Sequence, residues 1–260
     1  MTDPKIAEEL AAYSDRLLGL LDPAIVRRVA IDRPDAAVIE RYLALPDLTS
    51  QVADILDGLG YDSAVPRRRL PPLEGGRRVA GPAVTARQIP AAHAPGFSIA
   101  SGHRPRGGGI DQITLTRRGD VFVIDAGGVA EASSFGGILA TASIAAGLAG
   151  IVVDGAVRDS ASITAGGLAV WSAGVTPRTG KHRLELAEFN GPVTIAGVQV
   201  HPGDLVLGDD DGLIFVPAAL ILEVIDRAEA AAGQESALLG ALSSGGSARE
   251  AAAILHPSKW

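Results

Sequence analysis

Apolar and polar positions change their spacing near residue 79, and the change separates two kinds of structure along the chain. Up to about residue 45, apolar residues recur at helical spacing, as in Ile6-Ala-Glu-Glu-Leu10 and Leu17-Leu-Gly-Leu-Leu21, with Pro23 and Pro34 as breaks. This predicts two or three short helices lying on the body of the protein. A better-marked helix follows from Ser50 to Leu59, where Val52, Ile55, Leu56 and Leu59 make one stripe before Gly60 stops it. The Pro- and Arg-rich stretch from Pro66 to Gly76 reads as a loop.

From Val79 the pattern turns to strands. Val79 to Arg87 predicts a strand bent at Gly81-Pro82, and the turn-rich segment from His93 to Gly109 predicts a long loop. Val121-Phe-Val-Ile-Asp125 is a buried strand ended by Gly127-Gly128, Ser133 to Leu148 a helix of small residues, and Ile151-Val-Val153 a second buried strand. That order is a βαβ unit with a right-handed crossover. Beyond it come a short helix after Asp159, an apolar segment from Leu168 to Trp171, and strands at Val193 to Val200, Leu205 to Leu207 and Leu213 to Val216. A helix from Ala218 to Ala232 and weaker helices finish the chain. The expectation is an α/β fold. A main domain over 47–235 carries an N-terminal helical extension, 1–46, and a C-terminal helical tail, 236–260.

Composition narrows the chemistry. With 47% apolar residues but only 4% aromatic ones, the core is built from Ala, Val, Leu and Ile. A net charge of -7 argues against a nucleic-acid partner, which needs a basic face. Zero cysteines remove disulfides, thiolate metal sites and cysteine nucleophiles. The polar start Met1-Thr-Asp-Pro-Lys is unlike a signal peptide, and no apolar run approaches the roughly 20 residues that span a bilayer. A cytoplasmic protein without a membrane partner is expected.

The sharpest local feature is Gly150-Ile-Val-Val-Asp-Gly-Ala-Val-Arg-Asp159, a buried strand running into a turn with two Asp and one Arg. Side chains at the carboxyl end of such a strand face the crevice where ligands bind in open α/β sheets. The same residues also suit a plain turn in which Asp154 and Asp159 are caps and Arg158 pairs with one of them. Opposite lies Ser134-Phe-Gly-Gly-Ile-Leu139, with two glycines at a helix start where each costs about 1 kcal/mol relative to Ala. Close helix packing explains such glycines. So does a ligand carboxylate approaching free N–H groups at Gly136, Gly137, Ile138 and Leu139. Of the three lysines, Lys5, Lys181 and Lys259, only Lys181 is away from the chain ends, which disfavours a Schiff base. No P-loop or Rossmann spacing is present, and the five histidines lack metal-ligand spacing. A Mg²⁺ or Mn²⁺ held by one carboxylate, waters and the substrate fits what remains.

Four segments in order resemble the RraA family: Gly136-Gly-Ile-Leu-Ala-Thr-Ala142, Gly147-x-x-Gly150, Val153-Asp-Gly-Ala-Val-Arg-Asp159, and Pro202-Gly-Asp-Leu-Val through Gly212-Leu-Ile-Phe-Val216. Weaker similarity at Asp54 to Leu59 and Gly81 to Thr85 extends the match over about 48–235. That family includes 4-hydroxy-4-methyl-2-oxoglutarate aldolases, oxaloacetate decarboxylases and the regulator of ribonuclease E activity. The resemblance implies a swivelling-domain fold, homotrimers or homohexamers, and a site at the subunit boundary. It implies that Asp159 anchors the divalent metal and that Arg158 contacts the oxo-acid oxygen. Arg158 and Asp154 are the expected catalytic residues. Gly137 and Ser162 stand where many members have acidic residues, which leaves proton handling and the exact substrate open. The expected function is a metal-dependent lyase on a small 2-oxo acid such as 4-hydroxy-4-methyl-2-oxoglutarate or oxaloacetate. A non-catalytic regulatory protein, or an enzyme on a different organic acid, is the alternative.

Overall fold

The computed structural model describes residues 3–255. In chain order its elements are α1 (Pro4–Ala11), α2 (Ala36–Ala44), α3 (Leu48–Gly58), β1 (Ala64–Pro66), β2 (Val79–Pro90), α4 (Pro95–Ser101) and α5 (Gly109–Thr114). Next come β3 (Val121–Phe135), α6 (Gly137–Ala146), β4 (Gly150–Val157), α7 (Ser160–Ala165), β5 (Val170–Val175) and β6 (Leu184–Phe189). The chain finishes with β7 (Val193–Ile195), β8 (Val198–Val200), β9 (Leu205–Gly208), β10 (Gly212–Val216), α8 (Ile221–Ser243) and α9 (Ala248–Ile254).

The main sheet runs β1-β10-β9-β2-β3-β4-β5, with β6 also paired to β2, and β7-β8 form a separate hairpin. Strands β2 to β5 are parallel and the remaining pairings antiparallel. This is an α/β protein with a mixed sheet flanked by helices. The expected βαβ unit is β3-α6-β4, and a second one, β4-α7-β5, adjoins it. Both crossovers deliver their strand ends and helix starts to one edge of the sheet. The bend expected at Gly81-Pro82 is where β2 changes partner, from β9 over Val79 to Pro82 to β3 from Ala83.

Three apolar clusters hold these layers together. One joins α5, α6 and the sheet and includes Ile6, Leu10, Leu21, Ile25, Val26 and Val29 of the N-terminal segment. A second fills the space between the sheet and the β7-β8 hairpin. The third packs α2, α3 and α8 against β9 and β10. The N-terminal segment is thus part of the core. The boundary expected at residue 235 falls inside α8, which runs unbroken from Ile221 to Ser243.

Four local expectations change. The segment from His93 to Gly109 contains α4, opened by Pro95 at its first turn, where a missing N–H is harmless. Strand β3 does not stop at Gly127-Gly128. Both glycines take left-handed φ, 62° and 75°, and the chain bulges and rejoins β4 with a shifted register. Ser133 to Phe135 therefore belong to β3, and the small-residue helix starts at Gly137. Strand β6 was not foreseen.

Candidate active site

Arg158 and Asp159 follow directly on β4, beside the bulged end of β3 and the start of α6. The Arg158 N–H donates to Phe135 O at 2.9 Å, which joins the two strand ends just before the helix begins. Asp159 has a left-handed backbone, φ 58°, a conformation uncommon outside glycine but tolerated by Asp. Asp159 makes no capping bond to its own helix, α7. Its carboxylate turns instead to α6, where the Gly137 N–H donates to Oδ2 at 2.9 Å. Arg158 Nε lies 3.5 Å from the same oxygen. Among the described residues, Oδ1 receives no hydrogen bond.

Gly136 makes this approach possible. A Cβ at Gly136 would lie 2.9 Å from Arg158 Cγ, 3.0 Å from Arg158 Nε and 3.1 Å from Asp159 Oδ2. At Gly137 the nearest contact would be 3.4 Å, again to Asp159 Oδ2, an ordinary van der Waals distance. The cost of Gly136 in helix initiation is therefore matched by the close fit of the Arg158-Asp159 pair. Ile138 and Leu139 follow with N–H groups that have no acceptor among the described residues, and Ile138 is 74% exposed.

Sequence reasoning brings Arg158, Asp159 and residues 136–139 to one place, and the structure does the same. Asp154 is not with them. Its Oδ2 accepts the Ala196 N–H at 2.8 Å in the β7-β8 turn, and the neighbouring Asp125 accepts from Thr194 and Gly127. Burial raises the Asp154 carboxyl above its ordinary range; the nearby Asp125 charge adds to this, while the Ala196 N–H and Arg69 oppose it. Asp154 is a hairpin anchor, and the partner of Arg158 is Asp159. The acidic turn Asp209 to Asp211 is likewise engaged within the chain, through Thr49, Ser50, Arg67 and Gly76.

An open cleft beside Asp159 is lined by Ser160, Ser162, Val175, Thr176 and Pro177. The last three were not singled out by sequence. Their signal is positional, because the carboxyl end of β5 must flank that of β4. Thr176 N–H donates to Val157 O at 2.9 Å, which stitches the cleft wall to the strand carrying Arg158.

Among the described residues, no three His, Asp or Glu side chains converge as a metal cage. The donor set fits a hydrated, oxygen-preferring cation of the Mg²⁺ class: one half-exposed carboxylate with an uncommitted oxygen, facing an open cleft. No helix among the described residues is long and apolar enough to cross a membrane.

Comparison with known proteins identifies relatives of the chain. A protein of Halalkalibacterium halodurans provisionally named 4-hydroxy-4-methyl-2-oxoglutarate aldolase is 28% identical over 85% of this chain and 96% of its own length. Protein DlpA of Legionella pneumophila is 28% identical over 78% of this chain, which spans only 31% of DlpA. Among solved structures, an uncharacterized Pseudomonas syringae protein superposes with a TM-score of 0.72 at 26% identity, covering 85% of this chain and 95% of that one. Streptomyces coelicolor RraAS2, described as an unusual member of the RNase ES inhibitor RraA family, superposes with a TM-score of 0.67 at 28% identity, covering 80% and 98%. The profile of the RraA-like family, described as Aldolase/RraA, matches residues 49–215, and the chain belongs to that family.

Proposed function

We propose that the protein is a divalent-metal-dependent carbon–carbon lyase acting on a small 2-oxo acid. The observation that carries this reading is the close grouping of Arg158, Asp159 with its open oxygen, and the first turn of α6, with Asp159 also lining an open cleft. Asp159 would hold Mg²⁺ or Mn²⁺, directly or through water. When bound, the cation supplies Lewis-acid stabilisation of negative charge on the substrate's oxo oxygen.

The chain's own groups supply the rest. The Arg158 guanidinium donates to the oxo oxygen, and its contact strengthens as that oxygen becomes an enolate. The N–H groups of Ile138 and Leu139 face the substrate carboxylate at the positive end of the α6 dipole. Decarboxylation of a 2-oxo diacid such as oxaloacetate breaks the C3–C4 bond, releases CO₂ and leaves the electron pair on the enolate. That step needs no protein base. Aldol cleavage of a 4-hydroxy-2-oxo acid also needs a group to take the hydroxyl proton, and neither Gly137 nor Ser162 provides one. The residues present therefore support decarboxylation most directly.

The decisive experiment is a screen of oxaloacetate, 4-hydroxy-4-methyl-2-oxoglutarate and related 2-oxo and 2-hydroxy acids with Mg²⁺ or Mn²⁺, each repeated with excess chelator. Metal-dependent release of pyruvate supports the reading, and turnover unaffected by chelator defeats it. The similarity to an RNase ES inhibitor family member favours one second reading, a non-catalytic regulator. Inactivity across the whole panel, together with binding to a ribonuclease, would select it.

A further inference from the structure

We infer that the backbone N–H of Gly137 is a positioning group for Asp159: it holds Oδ2 and leaves Oδ1 as the oxygen that meets the cation. The inference rests on the reading of Asp159 as the metal anchor. It reassigns Gly137, whose N–H was expected to face the substrate.

Three features of the site lead here. The two carboxylate oxygens are unequal, since Oδ2 takes the Gly137 N–H at 2.9 Å and lies near Arg158 Nε, while Oδ1 has no hydrogen bond among the described residues. The left-handed backbone at Asp159 turns the side chain away from α7 and onto the first N–H of the ten-residue helix α6. The α6 donors are also divided between two tasks. The first is committed to Asp159, and those of Ile138 and Leu139 have no acceptor among the described residues. A carboxylate held at one oxygen presents the other in a fixed direction, the usual task of groups that bond to metal ligands from behind. The helix dipole acts in the same sense by stabilising the ionised carboxylate a cation requires.

The test is Mg²⁺ titration by calorimetry, with Mn²⁺ binding followed by electron paramagnetic resonance. It uses the full chain as wild type, Gly137→Ala, Gly137→Pro and Asp159→Asn. Ala keeps the N–H, and its Cβ fits at 3.4 Å from Asp159 Oδ2. Pro removes the donor at a first-turn position that tolerates it, after an extended Gly136 at φ -160° and ψ -173°. The expected result is wild-type affinity in Gly137→Ala and a loss of about 10- to 100-fold in Gly137→Pro. Equal affinity in a folded Gly137→Pro overturns the inference and leaves Asp159 as metal anchor intact. Absence of binding in the wild type overturns both. Should Gly137→Pro not fold, amide exchange of Gly137 in the wild type decides. Protection retained on adding Mg²⁺ supports a positioning contact, and protection lost shows that the cation displaces it.

Discussion

At Arg158 and Asp159 the consequences of single side chains can be separated from folding. Arg158 is more than a third exposed and its ion partner is its neighbour, so its replacement leaves the core untouched. Arg158→Lys keeps the charge but loses the planar pair of donors, and kcat is expected to fall about 100- to 1,000-fold with an unchanged melting temperature. Gly136→Ala should act in the same way indirectly, because its Cβ would meet the flexible Arg158 side chain and not backbone. Measuring kcat and melting temperature together checks both variants. Asp154 behaves oppositely. Its folded carboxyl binds a proton more tightly than the unfolded one, chiefly through burial, so it subtracts stability as pH rises through the ordinary carboxylate range, near 4, and up to its folded value. Asp154→Asn keeps an acceptor for Ala196 and removes the charge. Its stability relative to wild type should increase as pH rises over that window, and denaturant titrations across pH would show a constant difference if the Asp154 charge were neutral in effect.

Individual elements show what the chain's pattern discloses and what it conceals. The βαβ unit was readable because Val121 to Ile124 and Ile151 to Val153 are continuous apolar runs, as strands buried on both faces require. The nearness of Arg158 and Asp159 to the start of α6 was readable for the same reason, since they follow the strand that the second run opens. The bulged return of β3 was not, because Gly127-Gly128 signals a stop locally and only pairing with β4 keeps the strand going. Strand β6 was missed because Leu184-Glu-Leu-Ala-Glu-Phe189 gains its strand character from the distant edge of β2. The turn of Asp159 toward α6 was also out of reach, as nothing in an Asp codes for a left-handed backbone. The N-terminal helices were visible, but their role in the core was not. Arg33 reaches Asp120, a fully buried carboxylate, through Nε and Nη2 at 2.8 Å each, and Asp120 also accepts the Arg117 N–H. Arg33→Ala strands that charge and should cost about 3–5 kcal/mol in chemical denaturation. A loss below about 1 kcal/mol would place the pair among the weak surface bridges.

At the scale of the whole molecule, the site has an apolar rim that the single chain leaves open. Ile138, next to Gly137 in α6, is 74% exposed, and Val175, in the cleft wall, is 56% exposed. A neighbouring subunit covering that rim would shield the site from water, and closed cyclic assemblies are the common way for soluble chains to bury such a surface. Sedimentation is expected to give a trimer or a pair of trimers, with Ile138→Asp shifting the protein to smaller species and lowering activity. A fully active monomer at assay concentration would contradict this. Apolar residues of the N-terminal segment, among them Ile6, Leu10 and Leu21, lie in the same cluster as Ala140 of α6.

Asp159 is proposed to anchor a cation beside Arg158 so that an enolate can form. Oxaloacetate decarboxylation tests it most directly, because the reaction asks for enolate stabilisation and nothing else. The measurement is the rate at fixed Mg²⁺ with wild type, with Asp159→Asn and with no protein, each with and without chelator. The expected result is a wild-type rate well above the protein-free rate, reduced to that background by chelator and in a normally folded Asp159→Asn. Equal rates for wild type and Asp159→Asn would contradict it.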